Sequence, residues 1–175
     1  MASLLVAVAV SLGFALSAVP NVELVTVTVF ISGFLLGPGF GAGVGAASAV
    51  LFSVFNPLGA ALPPLLAAQA LGQSIVGLAG GMAGPVIVRF PSRFLASIVA
   101  GGMGLVLTVL YDVLTNAGAY VTIAGEKTIE GLVKFIAAGL LLVGLHIVWN
   151  TMVFAAVLVP SLRVLDGYRG ELTTK

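Results

Sequence analysis

The chain of 175 residues is 60% hydrophobic and only 7% charged, with seven Lys and Arg against six Asp and Glu for a net charge of +1. A soluble domain carries roughly 25% charged residues, so this composition excludes a soluble globular enzyme, a nucleic-acid binder and a disordered chain. The absence of cysteine excludes a disulfide scaffold, a thiol nucleophile and a Cys-ligated metal site, and a mean hydropathy of +1.24 describes an integral membrane protein.

A helix crossing the hydrocarbon core needs about 20 mainly apolar residues. No charged residue occurs between Glu23 and Arg89, a gap of 65 residues, and further uncharged runs follow over 94–111 and 135–162. The short alternating segments of a β-barrel are missing, so the expected class is an all-α integral membrane protein with a single transmembrane domain. Pro and Gly punctuate the apolar sequence and predict six spans in chain order. Span one (about 3–19) ends at Val19-Pro20-Asn21, and span two (22–36) at the turn Gly37-Pro38-Gly39. Span three (40–55) stops at Asn56-Pro57-Leu58-Gly59 and Pro63-Pro64, and span four (65–88) at Arg89-Phe90-Pro91. Span five (94–114) leads into a polar stretch over 115–131. Span six (132–159) stops at Pro160, leaving a charged tail over 160–175.

Lys and Arg in short loops set orientation. Arg89, Arg93, Arg163, Arg169 and Lys175 fall on one side and only Lys127 and Lys134, beside Glu126 and Glu130, on the other. Both termini are therefore expected in the cytoplasm. No Lys or Arg precedes the first apolar segment, so a signal-peptide n-region is missing and Met1–Ala18 is expected to remain as span one.

Small residues recur at intervals of four, which places them on one helix face. Gly37, Gly41, Gly45 and Ala49 form one row of span three; Gly39, Gly43 and Ala47 form another, and Gly77, Gly81, Gly80 and Gly84 repeat the pattern in span four. Such rows commonly pack helices within a bundle. Span three, however, carries them on nearly all faces, and that excess points to a smooth outer surface for a partner protein.

Polar groups within hydrocarbon are expensive and mark function by default. Asn21 and Glu23, Asn56, Gln69 and Gln73, and Tyr111, Asp112 and Asn116 come from four separate places and are all expected in the external third. His146, Trp149 and Asn150 share a face of span six nearer mid-membrane, with Asn150 the more structural. Together they describe an external, mostly apolar pocket with a few amide, carboxyl and aromatic groups. It suits a neutral or weakly cationic ligand held by hydrogen bonds and stacking. Glu23, Asp112 and His146 offer metal or acid–base chemistry, but His146 is expected well below the other two. No HExxH, GxSxG or phosphate-loop pattern is present, so neither an enzyme nor an autonomous pump is expected, and no cofactor or metal is called for.

The run Val19-Pro20-Asn21-Val22-Glu23-Leu24-Val25-Thr26, the Gly37-Pro38 turn, the glycine-rich third span, Asn56-Pro57-Leu58-Gly59, Pro63-Pro64 with Gln69, and His146-x-x-Trp149-Asn150-x-x-x-Phe154 before Pro160 together resemble the S components of energy-coupling factor (ECF) transporters over about residues 5–165. These are substrate-binding membrane subunits of ATP-driven importers. The resemblance implies six transmembrane helices in the inner membrane of a prokaryotic cell, with cytoplasmic termini and an external pocket for a vitamin or its precursor, closed by the loops after spans one and three. It implies two kinds of partner, a membrane scaffold (T) subunit and two cytoplasmic ATPases. The docking surface it implies comprises Ala7, Ser11, Gly41, Ala42, Gly45 and Ala46. The alternatives are a solitary small-molecule transporter, a membrane-embedded enzyme using Glu23, Asp112 and His146, or a structural protein whose Gly-rich helices serve only as contacts.

Overall fold

A computed structural model describes residues 1–56, 59–124 and 127–173, with the side chains of 169–173 excepted. Pro57 and Leu58 of the turn after span three, Glu126, the Arg169 side chain and Lys175 lie outside the described residues. All regular structure among those residues is helical: α1 (Ala2–Leu16), α2 (Val25–Leu36), α3 (Pro38–Val54), α4 (Pro63–Val88), α5 (Arg93–Ile123), α6 (Ile129–Ala138), α7 (Leu140–Val153), a π turn (Phe154–Leu158) and α8 (Val159–Thr173). Pro38 and Pro63 sit in the first turns of α3 and α4, where the missing N–H has no partner to lose.

Three helical runs are long and apolar enough to cross a membrane: Pro63–Val88, Arg93–Ile123 and Leu140–Tyr168. The helices α1, α2 and α3 are apolar but shorter. The twelve residues of α2 rise only ~18 Å against a hydrocarbon core of ~30 Å. Ten of them are buried, so α2 is surrounded by protein, and a helix apolar on every side is stable in that position.

Three predicted boundaries move. Span five does not end at Leu114, because α5 runs to Ile123. Its polar residues bond their own helix: Thr115 Oγ1 donates to Tyr111 O, Asn116 Nδ2 to Asp112 O and Thr122 Oγ1 to Gly118 O. The stretch expected as loop is thereby satisfied as helix. Span six is broken at Gly139 into α6 and α7, with α6 capped by Thr128 accepting from Gly131 N at 3.1 Å. At its other end the helix does not stop at Pro160. The π turn immediately upstream loosens the backbone where a proline ring would clash with the carbonyl four residues back, and α8 continues with Leu158, Val159 and Leu162 buried. Arg163 Nη2 donates to Phe90 O at 2.8 Å and fastens this last segment to the α4–α5 connection.

Glycine decides how closely the helices pack. A Cβ on Gly33 or Gly41 would strike the Gly77 carbonyl, one on Gly77 would strike the Gly41 carbonyl, one on Gly45 the Gln73 backbone, and one on Gly80 the Phe30 carbonyl. The helices α2, α3 and α4 therefore meet backbone to backbone along one seam. Here the docking expectation needs correction. Gly41 and Gly45 are buried within the chain and face α4, so they form no part of an outer surface. Of the other residues expected there, Ala7 and Ser11 are exposed and Ala42 and Ala46 half-buried. The parallel row Gly39 and Gly43 faces open space.

A leucine at Gly77 forces two backbones apart and should destabilise by roughly 1–3 kcal/mol or more, whereas a Cβ at Gly43 meets nothing. Thermal unfolding of the purified variants in detergent should show a large fall in midpoint for Gly77→Leu and none for Gly43→Leu.

Candidate functional site

At the end of the bundle where α1 hands over to α2, the short helices leave a cavity of about 370 Å³. The α1–α2 connection supplies Asn21 and Glu23, the end of α3 supplies Phe52, Ser53 and Asn56, α4 supplies Gln69 and Gln73, and α5 and α7 supply Tyr111 and His146. A second cavity of about 530 Å³ shares Asn21, Gln69, Tyr111 and His146 with the first and adds Asp112, Thr115 and Asn116, with Gly139 and Leu142 on its far side. The structure thus brings nine of the ten predicted binding residues to two adjoining spaces. The tenth, Trp149, lines neither of these. Its indole Nε1 donates to the backbone carbonyl of Glu23 at 2.8 Å, so it holds the connection in place from behind.

His146 lies where the two cavities meet. Its Nδ1 is 2.7 Å from Asp112 Oδ1, and its Nε2 is 3.6 Å from Glu23 Oε1. The expectation that His146 lies well below the two carboxylates is therefore overturned, and the two shifted helix boundaries explain why. Because α5 runs on past Asp112 to Ile123, Asp112 sits about 16 Å below that helix end. Because α7 begins afresh at Leu140, His146 is only two turns into its own helix. The Nδ1–Oδ1 contact with Asp112 orients the ring with Nε2 toward Glu23. Tyr111 packs edge-on against the imidazole, with ring centroids 6.0 Å apart, in space left by the missing Cβ of Gly72.

Glu23 is held from three sides. Its Oε2 accepts from Thr26 N at 2.9 Å, satisfying one of the free N–H groups in the first turn of α2. Thr26 Oγ1 in turn accepts from Gln73 Nε2 at 3.2 Å. Asn21 adopts a left-handed backbone, φ 58°, which asparagine tolerates better than most residues, and this aims its amide at α7, where Nδ2 donates to Leu142 O at 2.5 Å. Across the cavity Ser53 Oγ donates to Gln69 Oε1 at 2.5 Å. The α1–α2 connection is thus strapped to α7 at Asn21, at the Glu23 carbonyl and at the Glu23 carboxylate.

Sequence reading missed Thr26, Ser53 and the Leu142 carbonyl. Thr26 was within reach, since it follows Glu23 by three residues at a helix start, the spacing of a local cap. Ser53 and Leu142 carry no local signal, because each acts on a residue brought to it by tertiary packing.

No protein-family model matches the chain, and neither does any curated protein or solved structure.

The strap gives a direct expectation. Trp149→Phe keeps an aromatic ring, though a smaller one, and removes the indole hydrogen bond, a change of about 1 kcal/mol. Amide hydrogen exchange over residues 19–24 should accelerate roughly fivefold while exchange within α4 is unchanged.

Proposed function

We propose that the chain is the substrate-capture subunit of an ATP-driven importer of the ECF type. In this reading it binds a small molecule at the external face and passes it inward when docked on a membrane scaffold and two cytoplasmic ATPases. The observation that carries the proposal is the cavity at one end of a helical bundle, lined mostly by apolar groups and a few convergent polar ones from five different segments, the usual composition of a small-molecule site. The resemblance in the order of motifs supports the same reading, and the vitamin class of ligand rests on that resemblance alone.

All six apolar segments cross the membrane in this proposal, with α1, α2 and α3 crossing on the protection of the longer α4, α5 and α7–α8. Both termini lie in the cytoplasm, beside Arg89, Arg93 and Arg163. The docking surface moves outward from the residues first considered. It uses Ala7, Ser11 and Ala15 of α1, which are exposed, with Gly39 and Gly43 of α3 and the flanking Ala42 and Ala46. Such small residues admit close approach by a partner helix.

Co-expression should recover the chain in a complex with the scaffold and ATPase subunits, and uptake should stop when the ATPases are inactivated. Uptake that continues without them would leave a solitary transporter. Glu23→Ala and Asn56→Ala should each weaken ligand binding by roughly 1–3 kcal/mol, read by titration calorimetry once the retained small molecule has been identified by mass spectrometry.

One observation favours a second reading. The contact among Glu23, His146 and Asp112 is an arrangement from which a membrane-embedded enzyme could draw acid–base chemistry. His146→Ala separates the two: it abolishes turnover of an enzyme, but in a capture subunit it changes affinity only, with no product formed by the parent protein.

A further inference from the structure

At the floor of the cavity and in the helical turn beneath it, unpartnered acceptors outnumber unpartnered donors. Glu23 Oε1, Asp112 Oδ2, Thr108 Oγ1 and both polar atoms of Asn150 are buried without a hydrogen-bond partner. Thr108 and Asn150 are 0% exposed and Asp112 8%. Helix register brings these groups together. The Asp112–His146 contact marks one level of the antiparallel α5–α7 pair, and the packing of Gly104 on Phe154 and the Asn150 carbonyl marks another, two turns away. Thr108 and Asn150 lie four residues from Asp112 and His146, on the same two faces, and so oppose one another between those levels.

Charge points the same way. Two carboxylates face one imidazole, and neither cavity has a Lys or Arg in its lining. With both carboxyl groups ionised, even a protonated His146 leaves one negative charge uncompensated, and a buried unpaired charge is strongly unfavourable. Among the described residues no group of three or more His, Cys, Asp and Glu is disposed to hold a metal ion. Hard oxygen donors of low total charge suit a small monovalent cation.

The geometry points to a monovalent cation seat at the cavity floor, formed by Glu23 and Asp112 around His146 with Thr108 and Asn150 beneath, and filled by an alkali ion or by the protonated amine of the captured ligand. The seat deepens the capture reading and rests on it only for the second of these occupants.

Two measurements on the full chain in lipid nanodiscs separate the sources. The first is thermal unfolding against NaCl and KCl, with ionic strength held constant by N-methylglucamine chloride. The second is mass spectrometry of small molecules released from the purified protein. A saturable rise in midpoint with one alkali cation identifies a free ion, and a retained compound bearing a basic nitrogen identifies a ligand amine. In either case Asp112→Asn should weaken the effect roughly tenfold or more, the scale of one lost charge-assisted contact. Thr108→Val gives a test of sign that keeps both carboxylates. With the seat filled it lowers the midpoint, and with nothing there it raises it, because an unsatisfied hydroxyl has been removed. Thr108→Val also decides the matter should Asp112→Asn fail to fold. A midpoint indifferent to cation identity, together with a neutral or anionic retained compound, would overturn the seat, as would a rise in midpoint for Thr108→Val. A neutral compound bound in the cavity would leave the capture reading standing, whereas failure to assemble with scaffold and ATPases would sink that reading and leave an alkali-ion seat intact.

Discussion

The close backbone approach of α2, α3 and α4 underlies the rest of the molecule. In lipid no hydrophobic force draws apolar helices together, so association depends on packing and on polar contacts. The glycines at 33, 41, 45, 77 and 80 supply that packing by removing the side chains that would hold carbonyls apart. The seam also positions the cavity. Its last step sets Gly45 against the Gln73 backbone, and the Gln73 side chain is the group that reaches Thr26. Above that level α1, α2 and α3 give out while α4 and α5 continue. A length mismatch that would be a defect in a simple bundle therefore becomes an opening.

The α1–α2 connection closes one side of this opening, and its attachment to α7 is polar. Asn21, Glu23 and Trp149 join it there by two hydrogen bonds and one ion-pair contact. None of these anchors is an apolar packing contact. A polar strap can exchange its partners for a ligand's own donors and acceptors at little net change in free energy, since hydrogen bonds formed and broken nearly cancel. Apolar packing cannot be traded in that way. Asn21 and Glu23 of this connection thus both fasten it and line the cavity.

The helical class and the membrane character followed from the missing charge, and most of the cavity residues followed from the expense of placing polar groups in hydrocarbon. Depth was not legible. Thr115, Asn116 and Thr122 read as loop because their polarity suggests water, yet each satisfies itself on its own helix, and nothing local distinguishes the two outcomes. Pro160 read as a stop because a proline ring obstructs a regular helix, and a π turn is invisible in sequence. The first of these errors, together with the break at Gly139 that divides span six, misplaced α5 relative to α7 and separated His146 from its carboxylates. A pairing 34 residues apart depends on where two helices begin and end, which is the least certain feature of any sequence reading.

The same limit governed the small residues, and here the structure refines the physical argument. Two rows in α3, offset by two positions, are both made of Gly and Ala, so sequence alone gives little reason to prefer either as the inner face. Gly41 and Gly45 turn inward because α4 offers a matching row at Gly77; Gly39 and Gly43 then necessarily turn away. A lipid-facing helix has no need of glycine, which carries an entropic penalty of roughly 1 kcal/mol relative to alanine. The seam accounts for the inner row, whereas a Cβ on Gly39 or Gly43 of the outer row would meet nothing within the chain. In the docking proposed above, close approach of a partner helix to the backbone would offset that cost.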